Sequence, residues 1–439
     1  MTAQQLAQSV MERLREKGHQ ALLVGGCVRD LLLGREPKDY DVATDAPPEE
    51  ILRIFPRSGL VGAQFGVVLV RDEGTSQIEV ATFRSDLQYK DGRRPEGVHF
   101  EASPREDALR RDFTINGLFQ DPVSGQTLDF VGGMADLKSG VIRAIGDAAV
   151  RFEEDHLRLL RAVRFAARFG FTIEPATLEA IERLAARIHR VAAERVRDEL
   201  VRILTEGGAR YGFELLDRSG LLREILPEVS AMKGVEQPPE FHPEGDVWTH
   251  TLMMLDGLEH PSHPSPALAM GVLLHDVGKP PCFRVAERIR FDGHVEAGVK
   301  LAQGILARLR FSNSDTEQIL ALIGNHMRFM DVSRMRESTL KRFIRLPKFD
   351  EHLALHRLDC LNSSGHLEAW EMLSKRYAET PADQLTPRLL INGNDLIEEG
   401  FRPGPRFKKI LAAVEDAQLE GAFSTRAEAL RFARKKFEK

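Results

Sequence analysis

The 439-residue chain is 42% hydrophobic and 29% charged, ordinary proportions for folded domains and enough length for about three of them. A net charge of −5 excludes a uniformly basic nucleic-acid coat, so any contact with RNA has to come from local basic patches. No apolar run approaches the roughly 20 residues of a membrane span, and the scattered Cys27, Cys282 and Cys360 form neither a disulfide framework nor a zinc motif, which points to a reducing cytoplasm.

Residues 1–20 carry an amphipathic helical pattern without the apolar core of a signal peptide. The stretch from Ala21 to Thr44, ALLVGGCVRDLLLGREPKDYDVAT, then concentrates the chemistry. Its apolar run Ala21 to Val24 breaks at Gly25-Gly26, and a helical pattern follows in Val28, Leu31 and Leu32: strand, glycine turn, start of a short helix. Such a turn lets backbone N–H groups converge on an anion with no Cβ in the way. Arg29 adds a fixed positive charge suited to phosphate oxygens. Asp39 and Asp41 alternate around Tyr40, so at the strand period both carboxylates leave one face of the next strand. Two such carboxylates repel unless a cation lies between them, and hard oxygen ligands beside phosphates suit Mg²⁺. A GG alone is usually a turn and a DxD alone is usually solvated surface; in this order and spacing they describe a nucleoside-triphosphate site.

Further on, PPEEILRIFP reads as a helix opened by Pro47 and Pro48 and closed by Pro56. FGVVLVRD and SQIEVATFR read as two strands of a hairpin, the second carrying Glu79. The polar stretch SDLQYKDGRRPEGVHFEASPRED has no clear period; a loop of that length inside a compact domain is usually functional. It ends in ALRRDFTINGLF, which places Arg110, Arg111 and Asp112 before an apolar helical face. LDFVGGMADLKSGVIRAIG reads as a hairpin and linker, and EEDHLRLLRAVRFAAR as one strong helix. On that helix Asp155 and Arg158 lie one turn apart and share a face, a spacing that also makes an ordinary i,i+3 salt bridge. Arg158, Arg161, Arg164 and Arg168 recur at three- and four-residue steps, a basic stripe able to meet RNA phosphates.

Past Gly170 the pattern is mainly helical until MKGVEQPPEFHPEGDVWTH, a loop-like segment with three prolines that opens a histidine-rich region. There His250 stands at a helix start, LLHDVGK supplies His275-Asp276, FDGH supplies His294, GNH supplies His326 and HRLDCL supplies Asp359. Imidazole and carboxylate together suit Mn²⁺, Fe²⁺, Ni²⁺ or Mg²⁺. The end of the chain is basic, with Lys408, Lys409, Arg434, Lys435 and Lys436.

GGCVRD followed by KDYDV, then RRDFTIN, EEDHLRLLR and AERVRDEL, resembles the nucleotidyltransferases related to DNA polymerase β. Within them the chain is similar to the class II tRNA nucleotidyltransferase and bacterial poly(A) polymerase family, nearly end to end. The resemblance implies an α/β head with a small mixed sheet, followed by an all-α neck, body and tail. The implied boundaries are a catalytic head over 1–140, a base-recognising neck over 141–200, a helical body over 201–385 and a tRNA-contacting tail over 386–439. It further implies that Asp39 and Asp41 hold two Mg²⁺ ions with Glu79 as a third catalytic carboxylate. Gly25, Gly26, Arg29 and Arg111 would bind the triphosphate, and Asp112 the ribose. Asp155 and Arg158 would read the base, with Arg161 and Arg164 beside them, while Glu194 and Arg197 would be structural. The implied reaction adds CMP or AMP from CTP or ATP to the 3′ end of tRNA and releases pyrophosphate. Loss of the loop between Glu79 and Arg110 marks members that add only CC, and this chain has the loop; CCA addition, A addition and poly(A) synthesis all remain open. His250, His275, Asp276 and Asp359 resemble the H…HD…D pattern of HD-superfamily phosphohydrolases over 245–360, and His294 and His326 match the extra ligands of dinuclear members. That implies metal-dependent hydrolysis of phosphomonoesters or cyclic phosphates. A phosphohydrolase with a degenerate head, or an inactive RNA-binding scaffold, would be the alternatives from other classes.

Overall fold

The computed structural model describes residues 1–61, 66–86, 98–100, 103–259, 263–381, 385 and 387–437. Helix α1 (Ala3–Glu16) starts with a capping box, Thr2 and Gln5 each satisfying the other's backbone N–H. Its buried face of Leu6, Ala7, Val10, Met11 and Leu14 lies against the sheet that follows. Strand β1 (Ala21–Val24) is buried at every position and gives way at Gly25 to α2 (Gly26–Leu32). Next come β2 (Asp41–Thr44), α3 (Pro48–Ile54), β3 (Ser58–Leu60), β4 (Val67–Arg71) and β5 (Gln77–Thr82). The hairpin expected from FGVVLVRD and SQIEVATFR is the antiparallel pair β4–β5. The polar stretch after it contains an antiparallel pair, β6 (Arg84–Asp86) with β7 (Val98–Phe100), and leads into α4 (Pro104–Leu109). Residues 87–97 and 101–102 of that stretch lie outside the described residues. Strands β8 (Leu118–Gln120) and β9 (Thr127–Asp129) complete a seven-stranded mixed sheet of order β3-β4-β5-β2-β1-β8-β9.

Two expectations for the following segment change. LDFVGGMADLKSGVIRAIG is not a hairpin: β9 runs into α5 (Gly133–Ser139) and then β10 (Val141–Ile142), which pairs in parallel with β11 (Thr172–Ile173). The cause is Asp129, whose carboxylate accepts hydrogen bonds from the backbone N–H groups of Val131, Gly132, Gly133 and Met134 and so satisfies the first turn of α5. EEDHLRLLRAVRFAAR is not one helix either. It splits into α6 (Ala148–Glu154) and α7 (Arg158–Phe169), with Asp155 extended between them. His156 Nδ1 donates to the carbonyl of Phe152 and closes α6, while the Asp155 carboxylate takes the Leu157 N–H. Helices α8 (Pro175–Leu184), α9 (Ala193–Thr205), α10 (Ala209–Arg218), α11 (Leu221–Ile225) and α12 (Pro227–Ser230) follow. Residues Met1–Ser230, with the short pieces Glu259–His263 and Arg308–Arg310, form one compact unit.

The second unit takes the remainder and is almost all helix. It begins with α13 (Val247–Asp256), α14 (Pro266–Leu274) and α15 (Lys279–Cys282), then a small hairpin of β12 (Arg284–Val285) and β13 (Ile289–Arg290). After these come α16 (His294–Arg308), α17 (Asn313–Asn325), α18 (Glu337–Ile344), α19 (Phe349–Leu361) and α20 (Glu368–Glu379). Helix α14 is apolar all round because α13, α17 and α19 pack about it. Gly271 lets α17 close in, since a Cβ there would stand 2.8 Å from Leu322 Cδ1. Phe329, Phe343, Ile344, Phe349, Leu353 and Leu373 form a separate core, and Ile391, Leu396, Ile410, Val414, Ala429 and Ala433 a third. The latter joins the helices Gly393–Glu398, Arg406–Leu419 and Arg426–Phe437. Among the described residues no helix is long and apolar enough to cross a membrane.

Candidate active site and metal centre

The glycine turn after β1 brings its expected partners together. Gly25 has φ +74°, and a Cβ on it would stand 2.9 Å from Arg111 Nη1. Only glycine tolerates both the dihedral and the approach. Arg111 is aimed there by Asp107, which accepts its Nε at 3.1 Å and its Nη2 at 2.9 Å and also takes Arg110 Nη2 at 2.6 Å. Burial works to lift the Asp107 pKa, but the guanidinium groups of Arg111 and Arg110 outweigh it and hold the carboxylate below its usual range. Asp107 was missed by the sequence reading; its spacing of three and four residues from the two arginines was the available signal.

The acidic residues gather at the same end of the sheet. Strands β2 and β5 run parallel in a register that sets Asp41 opposite Glu79, and Asp39 stands two residues before, exposed at the strand entrance. Burial, then Glu79, raises the Asp41 pKa to about 6, against the opposing pull of Arg111 and with a smaller push from Asp39. Asp41 opposite Glu79, with Asp39 two residues ahead, supplies hard oxygen donors of the type that Mg²⁺ takes.

The arginines of α7 are not the solvated stripe that their spacing suggested. Arg158 Nη1 donates to Glu154 at 2.6 Å and to the Arg151 carbonyl at 3.0 Å. Asp155, in the break between α6 and α7, accepts from Arg195 Nη2 at 2.9 Å. Arg161 pairs with Asp112 at 2.6 Å, Arg164 with Glu199 at 2.8 Å, and Arg168 with Asp30 at 3.4 Å and Glu206 at 3.7 Å. Glu206 also lies 3.5 Å from Arg164, and Glu199 lies 4.0 Å from Arg161. Arg29 is buried: it donates to Asp30 at 2.8 Å and to Asn116 Oδ1 at 2.5 Å, and Asn116 Nδ2 donates back to Asp112 at 3.0 Å. These contacts close into a ring in which arginines alternate with acids, the amide of Asn116 joining Arg29 to Asp112. Inside it, Phe165 and Phe169 take Arg29, Arg161, Arg164 and Arg168 on their faces at 4.3–5.3 Å. Burial would raise the Asp112 pKa, but Arg161 and Asn116 hold it far below the carboxylate range. Burial lowers the Arg164 pKa to about 10, Glu199 partly offsetting it.

The second unit assembles all six of its expected ligands. His250 on α13 puts Nε2 3.2 Å from Asp359 Oδ1 on α19, and His275 Nε2 lies 3.1 Å from Asp276 Oδ2. His294, opening α16, and His326, closing α17, bring their Nε2 atoms to 3.4 Å from each other and to 3.9 Å from Asp276 Oδ1. Two groups of three result, His250–His275–Asp359 and Asp276–His294–His326, with the ligand atoms of each within 4.8 Å of one another. The Nδ1 atoms of His275, His294 and His326 face the carbonyls of Val272, Phe291 and Ile323 at 2.7–2.9 Å, which commits each Nδ1 to N–H and leaves Nε2 for a cation. His250 Nε2, His275 Nε2 and Asp276 Oδ1 are buried with no hydrogen bond of proper geometry. Four imidazoles and two carboxylates, with orphaned atoms on two of the rings and one of the acids, fit divalent transition-metal ions. Burial works to lower the His250 pKa, but Asp359 and Glu244 raise it to about 9, while burial takes His326 down to about 4. Glu244, His242 and Lys279 were not singled out beforehand. Glu244 Oε1 lies 2.8 Å from His242 Nδ1 and 2.7 Å from His250 Nδ1, and Lys279 Nζ is 2.7 Å from Asp276 Oδ2. The signals were HPE just ahead of the helix and the i,i+3 spacing within HDVGK.

Three family descriptions match the chain: "Poly A polymerase head domain" over residues 21–143, "Probable RNA and SrmB- binding site of polymerase A" over 170–233 and "tRNA nucleotidyltransferase domain 2 putative" over 295–433. The chain is 32% identical over 411 residues to the CCA-adding enzyme of Latilactobacillus sakei, covering 92% of this chain and 91% of that one. It is 44% identical to the CCA-adding enzyme of Levilactobacillus brevis over 217 residues, 49% of this chain and 54% of the relative. Against that relative and those of Lactiplantibacillus plantarum and Leuconostoc mesenteroides, the match spans little more than half of the relative's length. Among solved structures, the Bacillus stearothermophilus CCA-adding enzyme in complex with CTP superposes with a TM-score of 0.75 at 27% identity, over 98% of this chain and 97% of that one. The Thermotoga maritima CCA-adding enzyme complexed with tRNA, at 22% identity, shares the fold with a TM-score of 0.62 over 99% of this chain and 95% of that one.

Proposed function

From the premise that the chain belongs to the tRNA nucleotidyltransferase family of CCA-adding enzymes, we propose that its first unit adds CMP and AMP to the 3′ end of tRNA without a nucleic-acid template and releases pyrophosphate. The observation that carries this reading is the juxtaposition of Asp41 and Glu79 in parallel register with the Gly25 turn and Arg111. The glycine turn and Arg111 accept the triphosphate, with Asp107 fixing the guanidinium. Asp39, Asp41 and Glu79 would hold Mg²⁺, which when bound supplies a lowered pKa for the attacking 3′ hydroxyl and offsets charge on the leaving pyrophosphate. Asp112, kept ionised by Arg161, presents acceptor oxygens to a ribose hydroxyl. Asp155 and Arg158 select the base once each releases its present partner, Arg195 and Glu154. A guanidinium offers only donors and a carboxylate only acceptors, whereas cytosine and adenine each present a ring-nitrogen acceptor beside an amino donor. The basic C-terminal segment, including Lys408 and Lys409, is the surface we assign to the body of the tRNA, and a reducing cytoplasm is the compartment that fits.

The test uses tRNAs lacking the last three, two or one nucleotides, each incubated with labelled CTP or ATP alone. Incorporation of CTP on the shortest and ATP on the longest is the expected pattern. ATP incorporation alone, continuing past one residue, would replace this reading with poly(A) synthesis.

The unpartnered, buried His250 Nε2, His275 Nε2 and Asp276 Oδ1 favour a second reading for the second unit, a metal-dependent phosphohydrolase. A bound divalent ion would there supply hydroxide near neutral pH. Release of phosphate from p-nitrophenyl phosphate or opening of a 2′,3′-cyclic nucleotide, lost on chelation and restored by Mn²⁺ or Ni²⁺, is the expected result.

A further inference from the structure

We propose that Gln237 holds the phosphate at the centre of the second unit, its side-chain amide nitrogen donating to an oxygen of the phosphoryl group on which that centre acts. The inference rests on the reading of His250, His275, Asp276, His294, His326 and Asp359 as the metal ligands of a phosphohydrolase.

Gln237 lies in the proline-containing loop ahead of α13, the loop that also carries His242 and Glu244. Two closures fold that loop onto itself: the Val247 N–H donates to the Val235 carbonyl at 3.0 Å, and the N–H groups of Phe241 and His242 share the Pro238 carbonyl at 3.1 and 3.0 Å. Gln237 is 4% exposed. Its Oε1 accepts Lys279 Nζ at 2.6 Å, and the same ammonium reaches Asp276 Oδ2 at 2.7 Å. Asp276 in turn stands 3.1 Å from His275 Nε2 and 3.9 Å from the Nε2 atoms of His294 and His326. Lys279 Nζ also lies 5.4 Å from the centre of the Phe291 ring, and the Phe291 carbonyl holds His294 Nδ1. One lysine therefore joins the amide to the whole cluster of ligands.

The orientation of the amide follows from its partner. An ammonium has donors and no acceptor, so the amide turns its oxygen to Nζ and its NH₂ away. That NH₂ is buried and has no hydrogen-bond partner. Glu244 Oε2, an acceptor in the same loop, is orphaned as well, so the two do not satisfy each other. A buried donor left open is costly, and its place beside a functional cluster marks a missing acceptor. The cations that suit the open His250 Nε2, His275 Nε2 and Asp276 Oδ1 cannot be that acceptor, because an amide N–H repels them. An anionic oxygen can, if it belongs to a group that the cations also bind, and a tetrahedral phosphoryl group offers oxygens to both. Being neutral, the amide holds an ester and the phosphate released from it alike, so its contribution is to binding.

The test is a titration of the Co²⁺-loaded, full-length protein with inorganic phosphate, Mg²⁺ being in excess to occupy the first unit, followed by the visible absorption of Co²⁺. The wild type should show a saturable spectral change. Gln237→Glu keeps an oxygen for Lys279 but replaces the NH₂ by an acceptor, whereas Gln237→Met removes both. Each should weaken phosphate about 10–100-fold, the worth of a hydrogen bond to a charged acceptor, with Co²⁺ uptake by Gln237→Met unchanged. On p-nitrophenyl phosphate the KM should rise by the same factor while kcat holds. If Gln237 merely propped Lys279, Gln237→Glu would bind phosphate as the wild type does and Gln237→Met would lose Co²⁺ uptake; that result overturns the inference. Unchanged phosphate affinity in both variants, the mark of an amide that meets only a buried water, overturns it too, as does a wild type whose Co²⁺ spectrum ignores phosphate. Should one variant fail to fold, the phosphate affinity of the other decides. If the wild type takes up no Co²⁺, or His250→Ala takes it up undiminished, the reading of the centre itself fails and the inference falls with it.

Discussion

Gly25 meets two demands at once, a φ of +74° and a guanidinium where its Cβ would be. Gly25→Ala should therefore push Arg111 off its seat, raising the KM for CTP and ATP about tenfold or more while costing about 1 kcal/mol or more of stability; steady-state kinetics and urea unfolding read the two. Asp41 makes a pH prediction. Its pKa, about 6 against an unfolded 3.8, means that the folded, metal-free protein binds this proton more tightly than the unfolded chain. Stability from this group is full below about 4 and lost as pH rises through 6. Asp41→Asn should abolish nucleotide addition yet make the EDTA-treated protein more stable at pH 8, by roughly 2–3 kcal/mol, with the gain gone at pH 4 in calorimetry. Gly25, Asp39 and Asp41 were legible in the sequence because a turn glycine and alternating acids are local signals. Glu79 was half legible: its strand was clear, but only the parallel register with β2 sets it beside Asp41.

At the scale of elements, α7 is where periodicity misled. Its arginine spacing is real, but which of those side chains face water is decided by acids far along the chain: Asp30, Asp112, Glu199 and Glu206. The helix break at Asp155 was likewise invisible, because EEDHLRLLR is good helix sequence and the stop comes from the His156 ring on the Phe152 carbonyl. The charged ring predicts a contrast between enclosed and exposed cations. Arg168→Ala takes one of two arginine partners from Asp30 and from Glu206, side-chain exposures being 7% and 17%, leaves them to Arg29 and Arg164, and should cost about 1 kcal/mol in urea unfolding. Lys408→Ala, exposed on its helix, should stay within about 0.5 kcal/mol and instead weaken tRNA binding in a salt-dependent way.

At the scale of the whole molecule, the carboxylates of the two sites belong to different compact units. Asp41→Ala should end nucleotide addition and spare phosphate-ester hydrolysis, and Asp276→Ala should do the reverse; a folded variant that lost both activities would refute the two-site reading. Chelation should lower the thermal midpoint of the second unit, since removing an ion leaves dry ligand atoms unpaired. The two-unit division was only partly legible: the change of texture near residue 230 marked it, but the sequence offered no sign that short pieces at 259–263 and 308–310 belong with the first unit. One feature of the sheet also dictates an order of manufacture. β1 sits between β2 and β8, and the Gly25 N–H is satisfied by the carbonyl of Leu118. On the ribosome β2 emerges soon after β1, whereas β8 must wait for the whole stretch that contains β3 to β7. Until then β1 presents an open apolar edge, the surface on which nascent chains aggregate or recruit chaperones. A chain arrested before residue 118 should bind no CTP, and the nucleotide cradle should come into being at one step of translation, when the β8 segment clears the exit tunnel.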